Sequence, residues 1–184
     1  MLALGTRMPA FRLPDVNGAI VSSDAYAGRP VLIAFICRHC PFVRHIRREF
    51  ARFTSEFLAL GLPTIAINSN DVEAFPEDGL EGMKLEAGEA GYTFPYLYDE
   101  TQEVAKVFKA ACTPDLFLFD ASGSLVYRGQ FDSSRPRSDV PVTGADIRAA
   151  ARALLENRPI PSDQRPSVGC NIKWKPGNEP DYWK

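Results

Sequence analysis

Two of the four cysteines in this 184-residue chain stand three positions apart in the stretch FICRHCPFV, residues 35–43. Thiols at that spacing can close a disulfide, supply half of a tetrahedral zinc site, or sit inert in a core. The thiolate is the reactive form, and positive charge or a helix N-terminus lowers a cysteine pKa from about 8.5 into a range of roughly 3.5–7.5. Arg38 and His39 lie between the two sulfurs as candidate pKa-tuning groups. Cys37, read as the last residue of a buried strand at the mouth of a helix over 38–60, is the expected nucleophile. Cys40, one turn on, is the expected resolving thiol, and Pro41 makes an irregular first turn.

A zinc reading needs Cys112 and Cys170 to complete four sulfur ligands. Structural zinc sites usually come as two close pairs, whereas these two cysteines are single and far apart, so redox chemistry is favoured over zinc or an inert pair.

The surrounding elements must hold that turn. RPVLIAFIC (29–37) is a continuous apolar run, as expected for a strand buried on both faces. Phe42, Ile46, Phe50, Phe53 and Phe57 repeat at helical spacing before a stop at Gly61, and these phenylalanines read as core. A hairpin is expected over 11–23, with Asn17-Gly18 at its turn. LPTIAIN (62–68) reads as a second buried strand, followed by the irregular segment 69–79. Helices are expected over 80–90, 100–111 and 143–157, and a strand hairpin over 115–131. The sum is an α/β sandwich with a central mixed sheet flanked by helices, an N-terminal β-hairpin and an extended tail.

Composition bounds the function. Forty-five per cent hydrophobic residues and a net charge of −2, from 21 basic and 23 acidic groups, fit one domain with appendages. No nucleic acid and no membrane partner is expected from so balanced a charge and from the lack of an 18-residue apolar run. The N-terminal stretch has no secretion-signal pattern, so a reducing, cytoplasmic setting is expected, where cysteines serve catalysis rather than structural disulfides. The expected organisation is a domain over 1–158 and a proline-punctuated tail over 159–184, packed on that domain or on a partner chain through Trp174, Tyr182 and Trp183.

Smaller features have bland readings. His45, flanked by Arg44, Arg47 and Arg48, reads as part of a solvated basic face. Cys112 reads as a small packed residue, and Arg128 is given no firm part in the chemistry.

Three motifs together resemble the thioredoxin-like superfamily, and within it the peroxiredoxin-like (AhpC/TSA-type) members that carry a CxxC. They are the strand, CxxC and helix of 31–60, with His39 before the second cysteine; CTPDLFLFD (112–120), with Thr113-Pro114 where the superfamily has a cis-proline; and GCNIKWKPG (169–177), similar to the resolving-cysteine segment of two-cysteine peroxiredoxins. The resemblance implies that Thr113 and Pro114 offer backbone groups to a substrate and that Cys170 is a possible third redox thiol. It implies no prosthetic group, a disulfide-bearing protein or small thiol as substrate, recycling by thioredoxin or glutathione, and a possible homodimer. Aligning the peroxiredoxin P-x-x-x-T-x-x-C motif on Cys40 puts Cys37 at the threonine and Ile33 at the proline. Disulfide exchange is therefore the expected activity, with thiol peroxidase chemistry centred on Cys40, or a non-catalytic metal-binding or adaptor role, as alternatives. Compared with thioredoxin, VLIAFI holds no buried carboxylate to take a thiol proton, which leaves that task to His39, water or a group elsewhere.

Overall fold

The computed structural model describes residues 2–182. Apolar β-branched and aromatic runs form its centre, a five-stranded sheet of β3 (Val31–Phe35), β4 (Thr64–Asn68), β5 (Tyr96–Tyr98), β7 (Asp115–Phe119) and β8 (Leu125–Gly129), in the order β5-β4-β3-β7-β8. β4 runs parallel to β3 and to β5, while β7 is antiparallel to both β3 and β8, so the sheet is mixed.

β3 is buried along its whole length, and its alternating residues feed two cores. Leu32 and Ala34 join the cluster that contains Phe50, Phe53 and Phe57 of α1 (Pro41–Ala59) and Ile147 and Ala151 of α4 (Ala145–Leu155). Val31, Ile33 and Phe35 join the opposite cluster with Phe108 of α3 (Glu103–Phe108), Ile172 and Trp174. α2 (Leu80–Ala90) follows the irregular segment after β4, in the position expected.

Three short strands escape the sequence pattern. β5 is only three residues long, and β6 (Cys112–Thr113) pairs antiparallel with β9 (Cys170–Asn171), a contact between segments far apart in the chain. The N-terminal hairpin of β1 (Arg12–Pro14) and β2 (Ile20–Ser22) forms as expected. Its turn places Gly18 at a φ of 84°, while an Asp15 side-chain oxygen accepts from the amides of Asn17 and Ala19 at 2.8 Å.

The tail lies over the domain. Gln130 N–H donates to the Arg165 carbonyl, Ser167 Oγ donates to the Gly129 carbonyl, and the Tyr182 hydroxyl donates to the carbonyls of Ala105 and Ala110. Trp174 is buried; Trp183 lies outside the described residues. Among the described residues no helix is long and apolar enough to cross a membrane.

Candidate active site

β3 ends at Phe35 and α1 begins at Pro41, so residues 36–40 form a loop between strand and helix. This corrects the expected helix start at 38. Cys40, the residue before Pro41, is held extended at a ψ of 121° as a pre-proline residue favours, and a buried carboxylate fixes the loop: Asp78 Oδ1 accepts from the amides of Arg38 and His39, both at 3.0 Å. Asp78 Oδ2 accepts from Asn70 Nδ2 at 2.8 Å and lies 2.5 Å from His39 Nδ1. Since the carboxylate can only accept there, Nδ1 is assigned the proton. Phe75 stacks on the His39 ring at 5.1 Å, and the Tyr96 hydroxyl donates to the Ile36 carbonyl at 3.2 Å. The loop is thus held by its backbone and by its histidine.

Pro41 takes the first helical position, where its missing N–H costs nothing, and the first helical bond runs from Arg44 N–H to the Cys40 carbonyl. Cys40 is therefore the N-cap residue, and Cys37 stands three residues outside the helix. The sulfurs differ accordingly. The interaction with Cys37 lowers the Cys40 pKa, Thr113 and Cys170 act in the same direction, and the Val43 amide adds a smaller share; burial opposes them. The Thr113 carbonyl, 3.1 Å from Cys40 Sγ, accepts from the thiol and disfavours its ionised form. On balance these groups hold the Cys40 pKa below that of a free thiol. Cys37 is raised well above a free thiol by the same interaction with Cys40, then by burial and by the Asp78 charge, against which the Thr113 hydroxyl at 3.3 Å pulls only weakly.

This reverses the expected assignment of Cys37 as the more acidic thiol. It also corrects the expected tuning by Arg38 and His39. The Arg38 guanidinium turns to Glu89 at 3.1 Å and to the Gly82 carbonyl, while His39 Nδ1 serves Asp78 and stays 4.0 Å from Cys37 Sγ. Neither appears among the groups that shift the two cysteines. Asp78 is the residue that sequence reasoning missed; its signal was only an acidic residue in the irregular segment 69–79.

Thr113 and Pro114 sit against the cysteine loop, joined by a cis peptide. The edge that Thr113 offers is occupied by the tail, where Thr113 pairs with Cys170. Gly169 permits that approach, because a Cβ there would lie 2.0 Å from the Thr113 carbonyl oxygen. The Cys170 thiol, half-buried, is pushed up to about 12 by burial and by Cys40, and the Phe42 amide at the start of α1 offsets part of that rise.

The remaining candidates separate from the site. Cys112 Sγ donates to the Pro114 carbonyl at 3.6 Å, and among the described residues no cluster of metal-type donors includes it. Among the described residues the metal-type donors that lie together are Cys37, His39 and Asp78, within 4.8 Å of one another. Arg128 makes a buried pair with Asp115 at 3.2 Å. His45 is half-buried, with Nε2 3.0 Å from Ser134 Oγ, and is not part of a purely solvated face.

Comparison with known proteins agrees with this architecture. The model of the AhpC/TSA family matches residues 4–128. A hypothetical protein of Sinorhizobium meliloti is similar at 48% identity over 96% of this chain and 97% of that one, with a TM-score of 0.94. An uncharacterized conserved protein from Geobacillus kaustophilus is 53% identical over 96% and 95% of the two chains, with a TM-score of 0.93. The thioredoxin domain of a thiol-disulfide oxidoreductase from Bacteroides vulgatus shares the fold at 21% identity, covering 70% of this chain and 89% of its own, with a TM-score of 0.60. No curated protein matches the chain.

Proposed function

This chain belongs to the AhpC/TSA family, a peroxiredoxin-like branch of the thioredoxin-like superfamily, and from that premise we propose that it is a thiol:disulfide oxidoreductase whose Cys37 and Cys40 cycle between two thiols and a disulfide. The observation that carries this reading is that both sulfurs meet Thr113 beside the cis-proline, Cys37 Sγ 3.3 Å from its hydroxyl and Cys40 Sγ 3.1 Å from its carbonyl, with Cys40 at the N-cap of α1; the Cys40 pKa is lowered and that of Cys37 raised. A low-pKa thiol beside a protonated partner is poised for exchange: Cys40 attacks a disulfide sulfur, one substrate thiolate leaves, and Cys37 then attacks Cys40 to expel the second. Two thiols are oxidised and one substrate disulfide is reduced. The proton of Cys37 must leave in the second step. His39 Nδ1, 4.0 Å from that sulfur, already holds a proton toward Asp78, so the Cys37 proton leaves with the second departing thiolate or to water. Recycling requires an external dithiol or thiol, of the thioredoxin or glutathione class.

The family match favours a second reading, peroxide reduction by the Cys40 thiolate. Against it, position 37 holds a thiol where a peroxide-orienting hydroxyl would stand. Turnover of a dye-labelled disulfide by dithiothreitol-reduced protein should exceed peroxide consumption measured by stopped flow, and Cys40→Ser should abolish the disulfide activity. Rapid peroxide turnover lost on Cys40→Ser, with slow disulfide turnover, would put the peroxidase reading first.

A further inference from the structure

Three donor atoms of different chemistry meet beside the couple. Cys37 Sγ lies 4.0 Å from His39 Nδ1, His39 Nδ1 lies 2.5 Å from Asp78 Oδ2, and all three fall within 4.8 Å of one another. A thiolate, an imidazole nitrogen and a carboxylate oxygen are the ligand types that zinc takes from proteins. Among the described residues no other three such donors lie together. They come from two segments joined only by the fold, the cysteine loop and the irregular segment after β4.

The surroundings hold these donors in place. Asn70 Nδ2 donates to Asp78 Oδ2 at 2.8 Å, Asn70 Oδ1 accepts from the Lys173 amide, and Asn68 Nδ2 donates to the Asp78 carbonyl at 2.6 Å. With the Arg38 and His39 amides on Oδ1, Asp78 is oriented at both oxygens. The Thr113 hydroxyl, 3.3 Å from Cys37 Sγ, can donate to a thiolate there. Such outer partners orient ligands at metal sites. Charge points the same way. A Cys37 thiolate beside the buried Asp78 carboxylate makes two negative charges, and a dication cancels both.

The spacing admits the ion with a small adjustment. Zinc bound at about 2.3 Å from sulfur and about 2.1 Å from nitrogen and oxygen sets about 3.6 Å between sulfur and nitrogen and about 3.4 Å between nitrogen and oxygen, so the His39–Asp78 contact opens by about 1 Å while Cys37 and His39 close slightly. The side of entry is His39, whose side chain is 15% exposed, between the half-buried Arg38 and Phe75.

We propose that Cys37, His39 and Asp78 bind zinc in the reduced protein and that the bound ion is a reversible block on the couple; this rests on the reading of Cys37 and Cys40 as that couple. Binding replaces the Cys37 proton, which goes to solvent, and the imidazole proton passes to Nε2 so that Nδ1 can ligate. No electron moves. The ligated sulfur cannot attack Cys40 until the ion leaves. When RSSR oxidises the pair, two electrons pass from Cys37 and Cys40 to RSSR, two thiols depart, the Cys37–Cys40 bond forms, and zinc loses its sulfur ligand and is released.

The test uses the full chain, reduced and kept free of oxygen, with Zn²⁺ alone titrated against a chromophoric chelator and Co²⁺ alone as a spectroscopic substitute. Wild type should take up one zinc, and its cobalt form should show a near-ultraviolet thiolate-to-cobalt band with the visible bands of four-coordinate cobalt. Cys37→Ser should lose the thiolate band, and His39→Gln and Asp78→Asn should each weaken zinc at least about tenfold, while Cys112→Ser binds as wild type. The disulfide form should take up no zinc, and saturating zinc should slow oxidation by oxidised glutathione at least about tenfold relative to the same protein in chelator. Zinc affinity unchanged in folded Cys37→Ser or His39→Gln, or equal uptake by the disulfide form, would overturn the proposal. So would the absence of zinc uptake by wild type that forms Cys37–Cys40 in chelator, a result that leaves the couple standing. Failure to form Cys37–Cys40 in chelator at any glutathione ratio would instead remove the couple, and the block with it.

Discussion

Asp78 and Asp115 are both buried carboxylates close to the cysteines, and the molecule satisfies them in opposite ways. Asp115 is paired with a guanidinium: Arg128 Nη2 is 3.2 Å away and the Ala111 amide 3.3 Å. Arg128 also donates to the Lys109 carbonyl and lies over the Phe117 ring. Among the described residues Asp78 has no arginine or lysine at hydrogen-bond distance through a side chain; its four contacts there are two loop amides, an asparagine and a histidine. Compensation by a full charge makes a buried structural pair. Compensation without a guanidinium goes with a charge that the site feels: Asp78 is one of the causes that raise Cys37. Two residues of one type thus divide into a brace and a functional group according to what neutralises them.

The largest effect should come from breaking the brace. Arg128→Met leaves Asp115 without its partner, a change that costs about 3–5 kcal/mol when one member of a buried pair is removed. Denaturant unfolding of the reduced protein should show that loss, while Cys37–Cys40 chemistry in the folded fraction stays as in wild type. Altered thiol chemistry would blur the division between the two carboxylates.

Asp78→Asn should be milder in stability and specific in chemistry. The amide meets donors from His39 or Asn70 with a donor of its own, a mismatch worth about 1–3 kcal/mol. Removing the negative charge takes away one of the causes that raise Cys37, so its deprotonation moves to lower pH. The pH profile of Cys37 alkylation, read by mass mapping, should shift downwards. An unchanged profile would mean that Asp78 is a second brace.

The smallest change should appear on Cys40. Its pKa is lowered in the folded protein, so the unfolded chain binds the extra proton between the folded value and the unfolded value of about 8.5. The stability this contributes is complete above the unfolded value and is lost as pH falls through the folded one. Thiolate absorbance near 240 nm should persist below the ordinary thiol range in wild type and in Cys37→Ser, where a hydroxyl still donates, and should vanish in Cys40→Ser. Absorbance that follows Cys37 instead would reverse the charge assignment.

These contrasts also mark what the sequence made legible. Strands with continuous apolar runs, the periodic phenylalanines of α1 and the Asn17-Gly18 turn are local signals, and the structure has those elements. The CxxC and the Thr113-Pro114 motif are visible as short strings, yet their electrostatics are not. Pro41 marked the helix start, and reading the helix from 38 moved the N-cap from Cys40 to Cys37, which exchanged the expected acidity of the sulfurs. Asp78 reaches the loop across 39 positions of chain and Gly169 meets Thr113 only after the tail has folded back, so no local pattern announces either contact. Three-residue β5 and two-residue β6 and β9 are too short to carry periodicity.

The central claim, that Cys37 and Cys40 form the redox couple, is tested most directly by equilibrating the full chain in glutathione buffers of graded ratio, quenching with acid and mapping every cysteine by mass. The account predicts one two-electron transition in which Cys37 and Cys40 pass together from thiols to a disulfide, with Cys112 remaining a thiol throughout. Independent titration of the two sulfurs, or their persistence as thiols across the whole range, would contradict it.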